Sequence, residues 1–257
     1  MHEIKSKDNG RLKFLKKLQH KKSFREENNL TVLEGLHLFE SYLKNKKDFE
    51  WICCTEDFYK KNHTIFKKSW DNKIFVTTET IFKTISELKT NQGFIAVTKI
   101  PSYHFDVKNL KEGLYLFIDG IQDPGNLGTI IRTAQAAGNM GIFLSSDCTD
   151  PWAPKTLRGS QGCQFEIPIF LNSKLIDLSE LSFDIVLADM QGMSVYDFQF
   201  SRKTILVLGN EGLGLSKHIN SRKYKTISIP MRASVESLNV AITAGIMSYM
   251  YNAQFKI

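Results

Sequence analysis

Along the chain, short β-branched, aromatic or apolar runs alternate with stretches whose apolar residues recur at helical spacing, marking out short strands and amphipathic helices. In the first part of the chain, β-branched or aromatic runs predict strands over residues 31–33, 50–53, 73–76 and 93–97. Apolar residues at helical spacing predict helices over 10–22, 35–44 and 78–88. The alternation is clearer in the second part, with strands over 114–118, 141–144, 183–188, 204–208 and 226–229. Helices are predicted there over 125–137, 153–159 and 234–253, with weaker ones between. Apolar strands separated by helices imply a mostly parallel sheet covered on both faces. A ligand then belongs beyond the carboxyl ends of the strands.

The regular pattern breaks at Lys99-Ile100-Pro101-Ser102-Tyr103-His104, and polar residues continue to Gly113. Proline and polar clustering of this kind mark a linker. The expected organisation is a small α/β domain over 1–100, a linker over 101–113 and a larger α/β domain over 114–257.

Composition narrows the class. The 42% hydrophobic and 24% charged residues suit a water-soluble globular protein. No apolar run reaches the roughly 18 residues that span a bilayer. The amino terminus is basic but has no apolar stretch or small-residue cleavage site, so a cytosolic location is expected. Cys53, Cys54, Cys148 and Cys163 show no CxxC spacing and no zinc-ligand pattern with the histidines, so no metal is expected.

Charge is concentrated at one end. Residues 1–25 carry nine Lys/Arg against Glu3 and Asp8, an excess of seven that equals that of the whole chain. A basic arm on a neutral body suits a polyphosphate partner. Its RNA-binding candidates are Lys13, Lys16, Lys17, Lys21, Lys22 and Arg25. A solvated helix face that keeps the protein soluble is the alternative reading.

Three loops after predicted strands carry candidate chemistry. The first runs from Asp119 through Asp123-Pro124-Gly125-Asn126 into a helix holding Arg132, with Asn126 as its expected N-cap. Arg132 breaks the helix's apolar series and suits bidentate phosphate binding, although a surface arginine on an amphipathic helix reads the same way. The second is Leu208-Gly209-Asn210-Glu211-Gly212-Leu213-Gly214, whose glycines let a backbone approach a ligand closely. Its spacing is not the GxGxxG of dinucleotide sites, which argues against a Rossmann-type enzyme. The third is Ile229-Pro230-Met231, then Ser234 to Asn239 at the start of the last long helix, with Ser234 as the expected cap.

Together the loops, DGIQDPGNLGTIIRTAQAAG, LVLGNEGLGLS and ISIPMRASVESLNVAITAGI, resemble the three signature motifs of the SpoU/TrmH family of RNA 2′-O-ribose methyltransferases, in that family's order. The segment DPWAPKTLRGSQGCQFEIPI resembles the family too, and VLEGLHLFESYL and TNQGFIAV resemble its amino-terminal substrate-binding domain. The resemblance implies an α/β fold, a mostly parallel sheet with a deep carboxyl-terminal trefoil knot of the SPOUT superfamily, which is an exception to unknotted topology. It implies S-adenosylmethionine (AdoMet) as cofactor, held by Leu208, Gly209, Asn210, Gly212, Ile229, Pro230, Met231 and Leu238. The catalytic set it implies is Asn126, Arg132, Glu211, Ser237 and Asn239, in a homodimer acting on structured RNA.

In the family's accounts the motif-one arginine is the base. A guanidinium holds its proton at neutral pH, so fixing the nucleotide is the more economical role for Arg132. Ala233 stands where the family often has glycine, and Cys163 where serine or alanine is common; neither belongs to the catalytic set. A separate first domain suits a large structured RNA, and because such an extension is commoner among the family's ribosomal RNA enzymes, the resemblance implies 23S-type ribosomal RNA rather than transfer RNA as substrate. A non-catalytic RNA-binding ribosome-assembly factor is the alternative, and it leaves the catalytic set without a purpose.

Overall fold

The computed structural model describes residues 1–44, 48–103, 106, 110–210, 212, 214–216, 219 and 223–255. The fold divides into two units, Met1–Pro101 with Trp152–Gly162, and Ser102–Pro151 with Cys163–Ile257.

In the first unit, short runs of apolar, β-branched and aromatic residues build the sheet, and β3, β4 and β5 are buried almost throughout. The strands are β1 (His2–Ile4), β2 (Leu30–Glu34), β3 (Phe49–Thr55), β4 (Ile74–Thr77) and β5 (Phe94–Lys99), in the order β1-β4-β3-β5-β2. β1, β4 and β3 run parallel, while β5 runs antiparallel to both β3 and β2. Four of these strands lie close to the predicted runs; β1 had no pattern long enough to announce it. The helix predicted over 10–22 breaks at Lys21, where the backbone turns extended (φ −117°), into α1 (Gly10–His20) and α2 (Lys22–Asn28). α3 (Leu36–Lys44) and α4 (Glu56–Lys61) follow, and the helix predicted over 78–88 shortens to α5 (Glu79–Phe82).

The basic amino terminus is therefore no free arm. Ile4 on β1 and Leu12, Leu15 and Leu18 on α1 are buried with Val32, Cys53, Ile95 and Val97. Apolar residues at i, i+3 and i+6 place one stripe of α1 on the sheet and leave the lysines outward.

The second unit is built on β6 (Gly113–Ile118), β7 (Gly141–Leu144), β8 (Ile169–Phe170), β9 (Asp184–Ser194), β10 (Lys203–Leu208) and β11 (Lys225–Ser228). Their order is β11-β9-β10-β6-β7-β8, and every pairing is parallel. The central strands β6 and β10 bury both faces, as a covered parallel sheet requires. Leu114, Leu116, Ile118, Leu206 and Leu208 share one core with α6 (Pro124–Ala136) and α9 (Val240–Phe255). Tyr115, Phe117, Ile205 and Val207 face the other core, with Leu175 and Leu178 of α8 (Leu175–Leu178). Gly113, placed in the linker by sequence, is the first residue of β6, and Tyr103 already packs in this unit by donating from its hydroxyl to the Gln164 carbonyl at 3.1 Å.

One further departure concerns α7 (Pro154–Ser160), expected within the second domain. It packs instead with the first unit, where Thr31 Oγ1 donates to the Trp152 carbonyl at 2.7 Å. Arg158 of α7 reaches the Glu87 carboxylate at 3.3 Å and that of the buried Glu34 at 3.8 Å. A local helical pattern says that a helix forms, not which core receives it.

Candidate active site

Parallel order puts the carboxyl ends of β9, β10 and β11 side by side, because these three are neighbours in the sheet. A cavity of about 490 Å³ lies there, walled by those strand ends, the loop after β10 and the approach to α9. Leu208, Gly209, Asn210, Gly212, Ile229, Met231 and Leu238 of the expected cofactor set line it, as does Ser237 of the expected catalytic set. Pro230 lies between two lining residues without being one itself.

Sequence reading missed the β9 side of the cavity. Leu187 pairs with Thr226 of β11, but the next pair is Met193 with Ile227, so residues 188–192 leave the ladder. Ala188, Asp189 and Met190 of that excursion line the cavity. The signal available was an apolar strand ending in a small residue and a carboxylate, the same signature that singled out the other loops. Asp189 Oδ1 accepts from the Gln191 amide at 2.9 Å, which shapes the turn.

The loop after β10 needs glycine at 209. A Cβ there would lie 2.5 Å from the Gly214 carbonyl carbon and 2.6 Å from the Leu215 nitrogen, both backbone atoms. The loop folds back on itself through Asn210 N donating to Gly214 O at 2.8 Å and Gly214 N to Asn210 O at 3.0 Å. The end of β6 holds it from outside. Asp119 Oδ2 accepts from the Ser216 amide at 2.7 Å, and Asn210 Nδ2 donates to Gly120 O at 2.6 Å. Glu211 lies outside the described residues.

Caps fall differently from the expected ones. Asp123, not Asn126, caps α6 by accepting from the Asn126 amide at 2.8 Å, with Pro124 at the first helical position. The last helix starts at Val240 rather than Ser234, and its cap is Asn239, whose Oδ1 accepts from the Ala241 amide at 2.9 Å. The other end of that amide, Nδ2, donates to Asn126 Oδ1 at 2.9 Å, joining the first motif to the third. Neither asparagine lines the cavity. Arg132 is exposed on α6 and also lies outside the lining. It stands close enough to Cys163 to oppose the upward push that burial and Glu166 give that thiol.

Of the expected RNA-binding cations, Lys13, Lys17, Lys21 and Lys22 are exposed on α1 and α2 and their junction, and Lys16 is half-buried. Lys13 pairs with Asp8 at 3.2 Å, and Lys22 with Glu26 at 3.9 Å. Arg25 is a correction: it is only 4% exposed, and Nη1 donates to the carbonyls of Leu18 at 2.6 Å and Gln19 at 3.0 Å. It satisfies carbonyls at the end of α1, which have no intrahelical partner, and is spent on structure. Among the described residues no group of His, Cys, Asp and Glu is placed to hold a metal ion, and no helix is long and apolar enough to cross a membrane.

A parallel α/β sheet with a cavity of apolar and polar groups at its strand ends, braced by the loop after β6, is the arrangement in which such sheets bind nucleotide-type cofactors. Residues 113–249 match the SpoU rRNA Methylase family, and residues 9–96 match the MRM3-like substrate binding domain. An uncharacterized tRNA/rRNA methyltransferase of Synechocystis sp. is 33% identical over 96% of this chain and 92% of its own length. The 23S rRNA (guanosine(2553)-2′-O)-methyltransferase RlmP of Bacillus subtilis is 32% identical over 97% of this chain and 98% of its own. The AdoMet-bound rRNA methyltransferase from Sinorhizobium meliloti superposes with a TM-score of 0.83 at 26% identity, over 98% of this chain and 97% of that one. The chain belongs to the SpoU rRNA methylase family.

Proposed function

We propose that the protein transfers a methyl group from AdoMet to a ribose 2′-hydroxyl of 23S-type ribosomal RNA. The observation that carries this is the convergence of the loops after β10 and β11 and the approach to α9 on one cavity. The donor set fits AdoMet. A volume of about 490 Å³ is within the range of small-molecule sites. Leu208, Ile227, Ile229, Leu238, Val240 and Met247 offer apolar surface for a purine, and Asp189, Asn210, Ser228 and Ser237 offer polar groups. When bound, AdoMet supplies a methyl carried on a sulfonium.

The chain's own residues then have separable tasks. The glycine loop and the ends of β9 and β11 bind the cofactor. Ser237 faces the cavity, and the Asn126–Asn239 pair braces its rim, so both orient the incoming ribose. In-line displacement gains most from such positioning. Arg132, exposed and outside the cavity, engages the phosphate of the target nucleotide. Its action as base is not required by this reading.

The first unit grips the RNA through Lys13, Lys16, Lys17, Lys21 and Lys22, without Arg25. Ribosomal RNA is favoured over transfer RNA by the named activity of the Bacillus subtilis relative, whose length is matched almost in full. We place the protein in the cytosol as a homodimer with a trefoil knot. Support for the dimer is an apolar stripe on α9 at helical spacing, Ile242 at 54% and Tyr249 at 53% exposure with half-buried Ile246 between them. Support for the knot is the likeness of the three motif loops to those of a family whose members carry one.

The deciding experiment is transfer of labelled methyl from AdoMet into total ribosomal and transfer RNA, followed by nucleoside analysis. Label in a 2′-O-methylnucleoside of the large ribosomal RNA is the expected result. Label in transfer RNA would reassign the substrate, and cofactor-independent RNA binding without any label would favour an assembly factor.

A further inference from the structure

The cavity wall is electrostatically asymmetric. Among the described residues that line it, the ionisable ones are Asp189 and Glu236, both acidic. They approach from different elements, Asp189 from the excursion of β9 and Glu236 from the segment before α9. Asp189 is half-buried, and its orientation is set by the bond from the Gln191 amide at 2.9 Å. Glu236 is exposed. The rest of the lining is apolar or neutral, so no described cation in the wall offsets them. A carboxylate beside low-dielectric walls keeps more of its field than one in open water.

The two sides of the methyl-transfer reaction differ in charge at one atom. The donor carries a cationic sulfonium, and the product S-adenosylhomocysteine (AdoHcy) has a neutral thioether in its place. Adenine, ribose and the amino-acid tail are common to both. We propose that Asp189, assisted by Glu236, is a specificity determinant that makes the cavity prefer AdoMet to AdoHcy and so limits product inhibition. Asp189 carries the larger share, because solvent screens exposed Glu236 more strongly. This rests on the cavity being the AdoMet site.

The test is titration calorimetry of the full-length protein with AdoMet, AdoHcy and sinefungin, whose protonated amine puts a positive charge where the sulfonium stands. The variants are Asp189→Asn and Glu236→Gln. Asparagine keeps an oxygen for the Gln191 amide, and melting temperatures verify that each variant is folded. Asp189→Asn is expected to weaken AdoMet and sinefungin about tenfold, the scale of one partly screened charge pair, and AdoHcy less than about threefold. Glu236→Gln should move the same ratio less, and raised salt should narrow the wild-type preference. Equal losses for all three ligands would overturn the proposal, since the carboxylate would then touch a shared part. Unchanged affinities would overturn it too. Failure of the wild-type protein to bind any of the three would instead sink the reading of the cavity as the cofactor site.

Discussion

Asn239 uses both ends of its amide, accepting from the Ala241 amide through Oδ1 and donating to Asn126 Oδ1 through Nδ2, each at 2.9 Å. One side chain thus starts the last helix and ties it to the loop that begins α6. The hydrogen-bond pattern itself assigns which end is oxygen, because a backbone N–H needs an acceptor. These two jobs can be separated by substitution.

Asn239→Ser should keep the cap and lose the tie, since serine caps well but is too short to reach Asn126. The melting temperature should stay close to wild type while methyl transfer falls at least about tenfold, the loss expected when a positioning group is removed. Asn239→Ala should lose both, with about 1 kcal/mol of stability gone as well. Thermal denaturation beside single-turnover methylation separates the two effects. Full activity in the serine variant would reduce Asn239 to a cap.

Arg132 is exposed and stands outside the cavity lining. Arg132→Ala should therefore abolish methyl transfer while calorimetry gives an AdoMet affinity within about twofold of wild type, since the cavity wall is unchanged. Arg132→Lys should restore little, because a lysine cannot reproduce a bidentate grip on phosphate. A large loss of cofactor affinity would place the guanidinium in the cavity instead.

Gly209→Ala forces a Cβ to within 2.5 Å of the Gly214 carbonyl carbon and 2.6 Å of its oxygen. Those atoms are backbone and cannot rotate away. Binding of AdoMet should be lost, with a stability cost of about 1–3 kcal/mol from overpacking. Calorimetry and a denaturant titration read the two losses. Gly10→Ala, at the start of α1 and away from the cavity, is the control, since an added Cβ there meets nothing within 4 Å.

Neutralising exposed Lys13, Lys17, Lys21 and Lys22 together should weaken RNA binding and flatten its salt dependence, by about 0.7–0.9 in slope for each phosphate that is no longer neutralised. The fold should survive, because these side chains point away from the core. Deleting residues 1–25 would be a poor version of this test, since Leu12, Leu15 and Leu18 would leave the core with them. An unchanged slope, measured by filter binding across salt concentrations, would return the basic face to a solubility role.

The first unit's buried thiols should make stability depend on alkaline pH. Burial pushes the Cys54 thiol from 9.0 up to about 12, and burial followed by the neighbouring Cys54 pushes Cys53 further in the same direction. A raised folded value means that the contribution is fully present below the unfolded value. It is then lost as pH rises from 9.0 toward the folded values. Denaturation midpoints should fall above about pH 9, and Cys54→Ala with Cys53 retained should soften that fall. Half-buried Cys163 should react first with a thiol reagent at neutral pH, ahead of Cys53, Cys54 and Cys148.

Local chemistry determined a good deal of this protein. Short β-branched, aromatic or apolar runs located four strands of the first unit and five of the second, because a strand covered on both faces needs apolar side chains at successive positions. The glycines of 209–214 and the polar run from Ser234 to Asn239 marked the cavity's loops, since close approach and helix starts demand particular residue types. What stayed hidden depended on residues distant in sequence. Strand order placed β9 between β10 and β11, and only that order made Ala188-Asp189-Met190 a cavity wall. The buried site among α1 carbonyls turned Arg25 from a candidate RNA ligand into a structural bolt. Asn239 rather than Ser234 caps the last helix, and the same side chain meets Asn126, 113 residues earlier, a contact that no local pattern announces. A hydrophobic period fixes which face of an element is buried, but only packing across the whole chain selects the neighbour it is buried against.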